Sequence, residues 1–336
     1  MNKQEQKKLE QRVQKTLKTH IKKNSKIVLG LSGGPDSIFL LHHLLILQKM
    51  RPFQLFCVHI NHKLRVESDK EEQLLINTFK TTSSPLIKLI TKQIKIKEKA
   101  NKEKKGLEET GRKYRYQTFK KVAKKYNCNL ILTAHHADDN LETILLNLAR
   151  GASLKGLCGI ETTSPLTKNI TLFRPLLNIS KSEIEKYLKP NLIPYVIDQS
   201  NNDESFNRNL VRLKVVPNLK RINPSLTSTI ASNTTNLREI QHFLNKKAGE
   251  WITRNTLNKT KTSFNLKQLQ KTHPALKKAI LRNLYHLHKG STKNLENIHL
   301  DEILRIIDQN IGNKTKKIGK LQFSINQGKI KVSVAK

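Results

Sequence analysis

Acidic side chains at helical spacing are the first residues of this sequence whose types suggest chemistry. Asp139 and Glu142 are three positions apart in the stretch "TAHHADDNLETILLNLARG". On a helix this spacing places both carboxylates on one face, in a first turn that favours negative charge. Such carboxylates hold Mg²⁺ against substrate phosphates or bind a substrate ammonium, whereas in the simpler alternative Asp138 and Asp139 only cap the helix. His135 and His136 leave a strand end toward the same place, where one of them can contact a reacting base.

A glycine turn, "SGGPDS", lies between a strand-like and a helix-like segment. Gly33 and Gly34 allow positive φ and close approach of the backbone to a ligand, and Pro35 suits the first turn of a helix. The free N–H groups and the helix dipole at such a turn favour an anion. The lysine of the GxxxxGK[ST] pattern is absent, so transfer of a γ-phosphoryl group is not expected. Asp36 suits a phosphate site if a cation lies between them; the alternative is a plain turn in which Asp36 and Ser37 are caps.

Two arginines share a helix face in "GLEETGRKYRYQTF". Arg112 and Arg115 are three positions apart, and two guanidiniums suit a phosphate or the charge that develops during its transfer. The alternative is a solvated face that pairs with Glu108 and Glu109.

Two other segments of the sequence carry further cations. "VHINHKLR" leaves a strand with Lys63 and Arg65, and its two histidines alone make a weak zinc site. The segment from 198 to 224 opens with a polar loop and continues as a helix that carries Arg208 and Arg212. Exposed cations at these positions favour contact with an RNA backbone, although the polar loop alone is also typical of helix capping.

The elements that must position these residues alternate between strand and helix. We expect strands at Lys26–Leu31, Phe53–Ile60, Leu86–Thr91 and Asn129–Thr133, with helices at Ile38–Leu47, Val66–Thr82, Gly106–Tyr126 and Asp138–Ala149. This alternation predicts an α/β fold, a parallel sheet with helices on both faces. Ligands of such sheets bind beyond the carboxyl ends of the strands, where the motifs at 32–37, 59–65 and 134–142 should converge. The lysine-rich stretch Gln93–Lys105 is predicted to be a solvated loop.

The pattern changes after position 220. Helices are expected at Leu226–Trp251, Leu266–Leu287 and Leu300–Gln309, followed by a β-hairpin over Lys320–Val334. We therefore predict two domains, residues 1–220 and a smaller, mostly helical domain over 221–336. The second contains 22 Lys and Arg against 6 Asp and Glu, a net charge of +16.

Composition narrows the class of protein. The 336 residues carry a net charge of +37, which favours a polyanionic partner such as RNA, although a compositional bias of the genome would contribute. We expect no membrane span and no secretory signal, because no long apolar run exists and the N-terminal segment is charged. The three scattered cysteines fit a reducing cytosol rather than a disulfide framework. These features predict a cytoplasmic protein.

The motifs together resemble a known family. "SGGPDS" is similar to the signature of the PP-loop ATP pyrophosphatases, which cleave ATP between the α- and β-phosphates. "VHINHKLR", "EETGRKYRY", "TAHHADDNLETILLNLARGASLKGLCGI", "RPLLNISKSEI" and "DQSNNDESFNRNLVRLKVVPNL" resemble one branch, the tRNA(Ile)-lysidine synthetases, in the same order. They cover most of residues 26–220. The usual Ala-Arg of the third motif is Gly111-Arg112 here, and the region after 220 is short and matches loosely.

The resemblance implies a function and a set of site residues. It implies an AMP-forming ligase that uses ATP and Mg²⁺ to adenylate the wobble cytidine of tRNA(Ile) with a CAU anticodon. Free L-lysine then forms lysidine. No stable protein partner is implied. The residues implied to bind ATP are Ser32, Gly33, Gly34, Pro35, Asp36 and Ser37. The implied catalytic residues are Asp36, Arg112, Arg115, His135, Asp139 and Glu142. Asp36 and Asp139 are expected to bind the metal, and Lys63, Arg65, Arg208 and Arg212 to bind tRNA.

Three other interpretations compete with this one. A PP-loop synthetase of a small metabolite is disfavoured by the net charge of +37 and by the basic region after 220. A PP-loop enzyme that thiolates tRNA commonly needs a persulfide cysteine or a CxxC cluster, and this sequence has no CxxC. A tRNA-binding protein that has lost catalysis would not be expected to keep Asp36, Arg112, Asp139 and Glu142.

Overall fold

The computed structural model describes residues 1–64, 67–80, 84–196, 207–290, 295–309, 314–319 and 321–334. These residues form two compact units: unit 1 comprises 1–146 and 160–231, and unit 2 comprises 147–159 and 232–336. Among the described residues, no helix is both long and apolar enough to cross a membrane.

Unit 1 contains a six-stranded sheet. Its strands are β1 (Lys26–Gly30), β2 (Gln54–Asn61), β3 (Ile87–Gln93), β4 (Leu130–Leu132), β5 (Thr163–Thr167) and β6 (Ile170–Phe173). The order across the sheet is β3-β2-β1-β4-β6-β5. All neighbours are parallel except β5, which runs antiparallel to β6. The predicted parallel sheet is confirmed, and the hairpin of β5 and β6 is an addition that the sequence analysis did not predict.

Ten helices begin before residue 223 in the described part of the chain, and those between β1 and β5 connect the strands of this sheet. They are α1 (Lys3–His20), α2 (Pro35–Met50), α3 (Glu67–Lys80), α4 (Ile96–Glu103), α5 (Leu107–Lys125), α6 (Ala137–Ala149), α7 (Leu154–Leu157), α8 (Lys181–Leu188), α9 (Asn207–Leu210) and α10 (Val216–Ile222). The short α7 belongs to unit 2. A π-helical turn, Val211–Val215, joins α9 to α10. Pro217 explains this turn, because proline has no N–H to donate to the carbonyl of Leu213.

Alternate residues of the strands form two separate cores. Ile27 and Leu29 of β1 pack with α1, α2 and α8 on one face of the sheet. Val28 packs on the opposite face, where α5 contributes Phe119 and Val122. Because successive side chains of a strand point to opposite faces, the apolar run 27–29 of β1 is what a strand covered on both sides requires. The prediction of helices on both faces is confirmed.

The strand order creates a crevice at one edge of the sheet. β1 lies between β2 and β4. From β1 the chain first adds β2 and β3 on one side, and then adds β4 and the later strands on the other side. In doubly wound sheets this switch point is where ligands bind, beyond the carboxyl ends of the strands. The loop after β1 and the segment after β4 both begin at this edge.

The lysine-rich stretch is not a loop. Residues 96–103 form α4, and β3 extends to Gln93, so the prediction of a solvated loop over Gln93–Lys105 is wrong. Ile96 and Ala100, four positions apart, are 1% and 3% exposed. This short apolar stripe anchors the helix, while the lysines around it stay at the surface.

Unit 2 combines helices with a second sheet. The helices are α11 (Leu226–Asn255), which begins in unit 1, α12 (Leu266–Gln270), α13 (Pro274–Lys289) and α14 (Asn297–Asp308). The strands are β7 (Ser263–Asn265), β8 (Lys314–Ile318), β9 (Leu321–Asn326) and β10 (Lys329–Val334), in the order β7-β10-β9-β8. The predicted hairpin of β9 and β10 is confirmed. The prediction of one helix over Leu266–Leu287 is wrong, because Pro274 starts a new helix whose N-cap is His273.

Candidate active site

The loop between β1 and α2 is organised by the side chain of Ser37. This hydroxyl, on a residue only 3% exposed, accepts hydrogen bonds from the backbone N–H groups of Ser32 (3.2 Å) and Gly33 (3.1 Å) and donates one to the carbonyl of Gly34 (3.0 Å). Gly33 has a φ of +87°, a conformation that favours glycine. Pro35 is the first residue of α2, as expected. The turn therefore directs the N-terminus of a 16-residue helix at the carboxyl edge of the sheet, which is suitable for an anion.

Asp36 lies next to the carboxylates of α6. His136 is 3% exposed, and its Nε2 lies 3.6 Å from Oδ2 of Asp36 and 3.5 Å from Oδ2 of Asp139. Burial raises the pKa of Asp36, and although His136 counteracts this rise, Asp139 adds to it. Oδ1 of Asp36 is buried and has no hydrogen-bond partner in the described part of the chain. A buried carboxylate oxygen without a partner is well suited to receive a cation.

The two aspartates at the start of α6 have different surroundings. Asp138 accepts hydrogen bonds from the backbone N–H of Lys181 (2.8 Å), from Lys220 Nζ (3.0 Å) and from Thr227 (3.2 Å). These contacts identify Asp138 as a structural residue. Asp139, the third residue of α6, accepts a hydrogen bond from the backbone N–H of His136 just before the helix (3.0 Å), as the third residue of a capping box does. Burial opposes the ionisation of Asp139, yet His136 and the guanidinium of Arg208 hold its pKa at about 2.

Arg208 and Arg212 pair with these acidic residues. Arg208 lies 2.7 Å from Glu142 and 2.9 Å from Asp139, and Arg212 lies 2.6 Å from Glu142. Their side chains are 23% and 26% exposed, so the expectation that they are exposed arginines on the surface is wrong. Glu142 is 2% exposed, and such a buried carboxylate requires a cationic partner. This pairing joins α6 to the segment of α9 and the π-helical turn. The paired residues are 66 or more positions apart in the sequence, too far for a local sequence pattern to indicate the contact.

His135 is close enough to Asp139 and to Arg112 to feel the charge of both. Nδ1 of His135 lies 2.9 Å from Thr133 Oγ1. Burial lowers the pKa of His135 to about 3, and although Asp139 opposes this shift, Arg174 and Arg112 add to it. The guanidinium carbon of Arg112 lies 5.1 Å from the centre of the Tyr116 ring, which is a cation–π contact.

Arg174 is a further site residue that the sequence analysis did not single out. It is 7% exposed and donates to the carbonyl of Glu161 (2.6 Å) and to Ser164 Oγ (3.2 Å). Its Nε is buried and has no hydrogen-bond partner among the described residues. The signal was its place at the head of "RPLLNISKSEI", one residue after β6.

Comparison with known proteins places the loop in a family. The PP-loop domain family matches residues 1–219, about two thirds of the chain. The chain belongs to the PP-loop family. The solved structure of the U34-tRNA thiolase NcsA from Methanococcus maripaludis, with its [4Fe-4S] cluster, has the same fold: its TM-score is 0.58 at 19% identity, over 69% of this chain and 79% of that one.

Curated relatives share more of the sequence. A tRNA(Ile)-lysidine synthase of Caldanaerobacter subterraneus subsp. tengcongensis is 32% identical over 303 residues, 88% of this chain and 62% of that protein. One from Clostridioides difficile is 30% identical over 308 residues, 90% of this chain and 65% of that protein. A bifunctional protein TilS/HprT of Listeria innocua is 32% identical over 300 residues, 88% of this chain and 46% of that protein. The chain thus spans about half to two thirds of the length of these relatives.

Other cations of the PP-loop unit lie farther along the edge of the sheet. Lys63, just after β2, has a φ of +52° and pairs with Asp69 at 2.6 Å. Arg65 lies outside the described residues. Arg115 is exposed, and its charge adds to burial in lowering the pKa of the nearby His62 to about 4. Glu109 pairs with Lys105 at 3.7 Å, so it has a different partner from the arginines on its helix.

The PP-loop site offers few protein ligands for a metal. Among the described residues no cluster of three or more His, Cys, Asp or Glu side chains forms a metal site. Mg²⁺ in phosphate-transfer sites is commonly held by one or two carboxylates together with substrate phosphates. Asp36 fits this role through its buried Oδ1, whereas both oxygens of Asp139 are bound by His136 and Arg208.

Proposed function

We propose that this chain is a tRNA(Ile)-lysidine synthetase, an ATP-dependent ligase that modifies the wobble cytidine of a CAU anticodon. The proposal depends on one relationship: Asp36 of the anion-binding loop lies across His136 from Asp139 of α6. A site for pyrophosphate and a site for a cationic group are thereby adjacent at the switch point of the sheet. The names of the curated relatives support lysidine formation as the reaction.

The reaction has two steps. The carbonyl oxygen of the cytidine attacks the α-phosphorus of ATP, and the bond from this phosphorus to the bridging oxygen breaks, so pyrophosphate leaves. The ε-amine of lysine, after losing a proton, attacks the activated ring carbon. The carbon–oxygen bond then breaks, and AMP leaves with the original carbonyl oxygen. The cytidine must be splayed from its stack to enter the site.

The PP-loop is proposed to hold the leaving pyrophosphate. The backbone N–H groups at Gly33 to Ser37, Pro35 excepted, are proposed for this. Those of Asp36 and Ser37 lie in the first turn of α2, where N–H groups have no partner within the helix, whereas those of Gly33 and Gly34 donate to the hydroxyls of Ser37 and Ser32 and would have to exchange these for phosphate oxygens. Asp36 is proposed as the principal metal ligand, with Asp139 as a second ligand if Arg208 releases it. Mg²⁺ in this position would neutralise charge on the phosphates.

Arginines and a histidine are proposed to act on the reacting nucleotide. Arg112 and Arg115 stabilise the phosphate or the adenylated base, and the buried charge of Arg174 lies close enough to influence His135. His135 is uncharged at neutral pH because of its low pKa, so it contacts the cytidine as a neutral hydrogen-bonding group.

Asp139 and Glu142 are proposed to receive the ammonium of lysine. Their charges are compensated by Arg208 and Arg212, so the ammonium has to compete with a guanidinium for an oxygen. The arginines are therefore assigned to the lysine site, where a displaced guanidinium could bind the α-carboxylate of the substrate. A carboxylate or a phosphate at this site would accept the proton that lysine loses.

The partner is proposed to be tRNA. The net charge of +37, with +16 carried by residues 221–336, supports binding of a polyanion, and we retain 221–336 as a tRNA-binding domain. Lys63 and Arg65 remain proposed contacts to tRNA. A cytoplasmic location stays part of this proposal.

Thiolation is the principal competing activity, because the structural neighbour NcsA is a tRNA thiolase. Cys57, Cys128 and Cys158 are all buried, and no two of them lie in a CxxC motif. Burial raises the pKa of Cys57 and also that of Cys128, the latter to about 11. Thiols in this state are poor nucleophiles and poor cluster ligands, which counts against sulfur transfer.

Incorporation of labelled lysine tests the proposal. Unmodified tRNA(Ile) with a CAU anticodon is incubated with ATP and Mg²⁺, and tRNA(Met) and Asp36→Ala serve as controls. Lysine should enter only tRNA(Ile), and only when Asp36 is intact. AMP formation without lysine incorporation would retain the adenylating site but refute lysine as the nucleophile. Binding of tRNA without either product would favour a non-catalytic tRNA-binding protein.

A further inference from the structure

We propose that a basic groove beside the PP-loop site binds the phosphate backbone of the tRNA strand that flanks the target cytidine. We call it the lysine groove, and it has a volume of about 730 Å³. Its lining residues are Lys63, Gln93, Lys95, Lys97, Glu98 and Asn101. This inference rests on the proposed function and adds a substrate-binding surface to it.

The lysine groove lies on the same edge of the sheet as the PP-loop. Lys63 follows β2 and Lys95 follows β3, and both strands are parallel to β1, so all three carboxyl ends meet at one edge. Strands are spaced about 4.8 Å apart, which places β3 roughly 10 Å from β1. A nucleotide strand that delivers its base to the PP-loop site would reach the groove within a few nucleotides.

The groove is fixed to the sheet. The backbone N–H of Ile94 donates to the carbonyl of Asn61 (2.8 Å), and that of Ile96 donates to the carbonyl of His62 (3.2 Å). Ile96 is also buried, together with Ala100 on the same face of α4. The lysines are thus presented from an ordered helix, so binding would not have to order the backbone of a loop.

The charge of this segment suits a polyanion. Residues 93–105 contain six lysines and two glutamates, a net charge of +4. Lys95, Lys97 and Lys99 are exposed. Lys95 pairs with Glu98 at 3.0 Å, but both side chains are about 70% exposed, and such a surface pair is weak enough for a phosphate to replace it.

The residues that line the groove are suited to the backbone of RNA rather than to its bases. None of the six lining residues is aromatic, so the groove offers no ring on which a base could stack. Ammonium groups and the amide of Asn101 are donors suitable for phosphate and sugar oxygens. The lysine groove should therefore add affinity and orientation without reading sequence.

The first experiment measures RNA affinity against salt. The probe is the anticodon stem-loop of tRNA(Ile), and the double variant Lys95→Ala and Lys97→Ala is compared with the natural chain between 50 and 200 mM salt. Losing two phosphate contacts should reduce the slope of log K against log salt by about 1.4 to 1.8 and weaken binding about tenfold. AMP formation at RNA concentrations below saturation should fall in parallel with the affinity, because less of the RNA is bound.

The matched control removes two lysines from the opposite edge. Lys121 and Lys124 are exposed near the end of α5, just before β4 begins, and therefore lie at the amino edge of the sheet. Lys121→Ala with Lys124→Ala should leave the slope within about 0.5 of the natural value. An equal fall in both double variants would overturn the lysine groove, because general charge would then explain the binding.

A second experiment locates the RNA. All three native cysteines are buried, so Glu98→Cys provides one exposed attachment point for an iron chelate that cleaves nearby backbone. Cuts within a few nucleotides of the cytidine, and none from the same chelate on Lys121→Cys, would support the proposal. Lysine incorporation with no cuts from position 98 would refute the groove while the proposed function stands. If the natural chain neither binds nor modifies the tRNA, both proposals fail.

Discussion

Arg212 binds Glu142 through two nitrogen atoms: Nε lies 2.6 Å from Oε1, and Nη2 lies 3.1 Å from Oε2. Arg208 Nε contacts the same Oε2 at 2.7 Å, so both oxygens of a carboxylate that is 2% exposed are bound by guanidiniums. This paired cluster connects the helix that carries Asp139 to the segment that carries the two arginines. Its charges are balanced before any substrate binds.

Loss of one guanidinium should destabilise unit 1. We expect Arg212→Ala to lower the free energy of unfolding by about 2–3 kcal/mol, because Glu142 stays buried with one partner fewer. Arg212→Lys should recover only part of this loss, since an ammonium cannot form the two parallel hydrogen bonds. Circular dichroism in urea measures the change. The only tryptophan, Trp251, lies in unit 2, so its fluorescence reports that unit separately.

A surface pair of the same chemistry is the control. Arg12 lies 2.6 Å from Glu183, but the two side chains are 49% and 32% exposed. Arg12→Ala should cost less than about 1 kcal/mol. If it costs as much as Arg212→Ala, burial is not the reason for the effect.

The buried charge of Asp36 predicts a stability that depends on pH. Burial raises the pKa of Asp36 above its ordinary value of 3.8, so ionisation of this group costs stability in the folded protein. Asp36→Asn should therefore stabilise the chain at neutral pH without ATP or metal. The gain should shrink as pH falls through the folded pKa and vanish below 3.8, where the carboxyl is protonated in both states. Thermal unfolding from pH 3 to 8 measures it.

Asp69, also in unit 1, predicts the opposite dependence of stability on pH. Hydrogen bonds from Lys63 and Asn61 lower its pKa. Its stabilisation is present above 3.8 and is lost as pH falls through the folded pKa. Asp69→Asn should thus reduce stability at neutral pH and have no effect at low pH. The Asp36 explanation is refuted if both variants shift stability in the same direction.

His135 should not contribute a limb to the pH profile of activity. Burial lowers its pKa to about 3, so it is neutral from pH 5 to 8. The folded state loses stability as pH falls from 6.5 toward 3, because only the unfolded chain then binds the proton. His135→Gln should lower tRNA-dependent AMP formation while leaving the shape of the profile between pH 5 and 8 unchanged. A limb near pH 6.5 that disappears in this variant would show that His135 titrates during catalysis.

Ser37 should control the shape of the PP-loop. Ser37→Ala removes two bonds from backbone N–H groups and one to the Gly34 carbonyl, so AMP formation should fall about tenfold to a hundredfold because the loop is no longer preorganised. Ser32→Ala, which removes a bond to the Gly34 N–H and the 3.0 Å contact with Ser37 Oγ, should cost less. Equal losses in the two variants would contradict the central role of Ser37.

Local signals explain what could be predicted from the sequence. The strand, the turn and the helix around Ser32–Ser37 follow from an apolar run, two glycines and a proline that are adjacent in the chain. The first turn of α6 follows in the same way from its acidic residues. The expected convergence of three motifs at one edge needed only the alternation of strands and helices.

Nonlocal contacts explain what could not be predicted. Arg208 and Glu142 are 66 positions apart, and nothing in either segment shows that the arginine is buried against the acid. The charge of the segment around α4 favoured a loop, because Ile96 and Ala100 form only a two-residue stripe. The antiparallel β5 and β6 are short and lack strict alternation, so their pairing depends on the neighbouring β4.

The packing of α5 on β1 predicts a steric limit at Gly30. A Cβ at this position would lie 2.5 Å from Cζ of Phe119, a ring that is 2% exposed and confined by its neighbours. Gly30→Ala should therefore lower the free energy of unfolding by about 1–3 kcal/mol through overpacking. The smaller side chain of Phe119→Leu should relieve part of this cost in the double variant. Gly249→Ala, inside α11 where no atom lies within 4 Å of the new Cβ, is the control and should cause no loss, because alanine favours a helix over glycine. If Phe119→Leu brings no relief to Gly30→Ala in a double-mutant cycle, the contact with Phe119 is not what requires glycine at the end of β1.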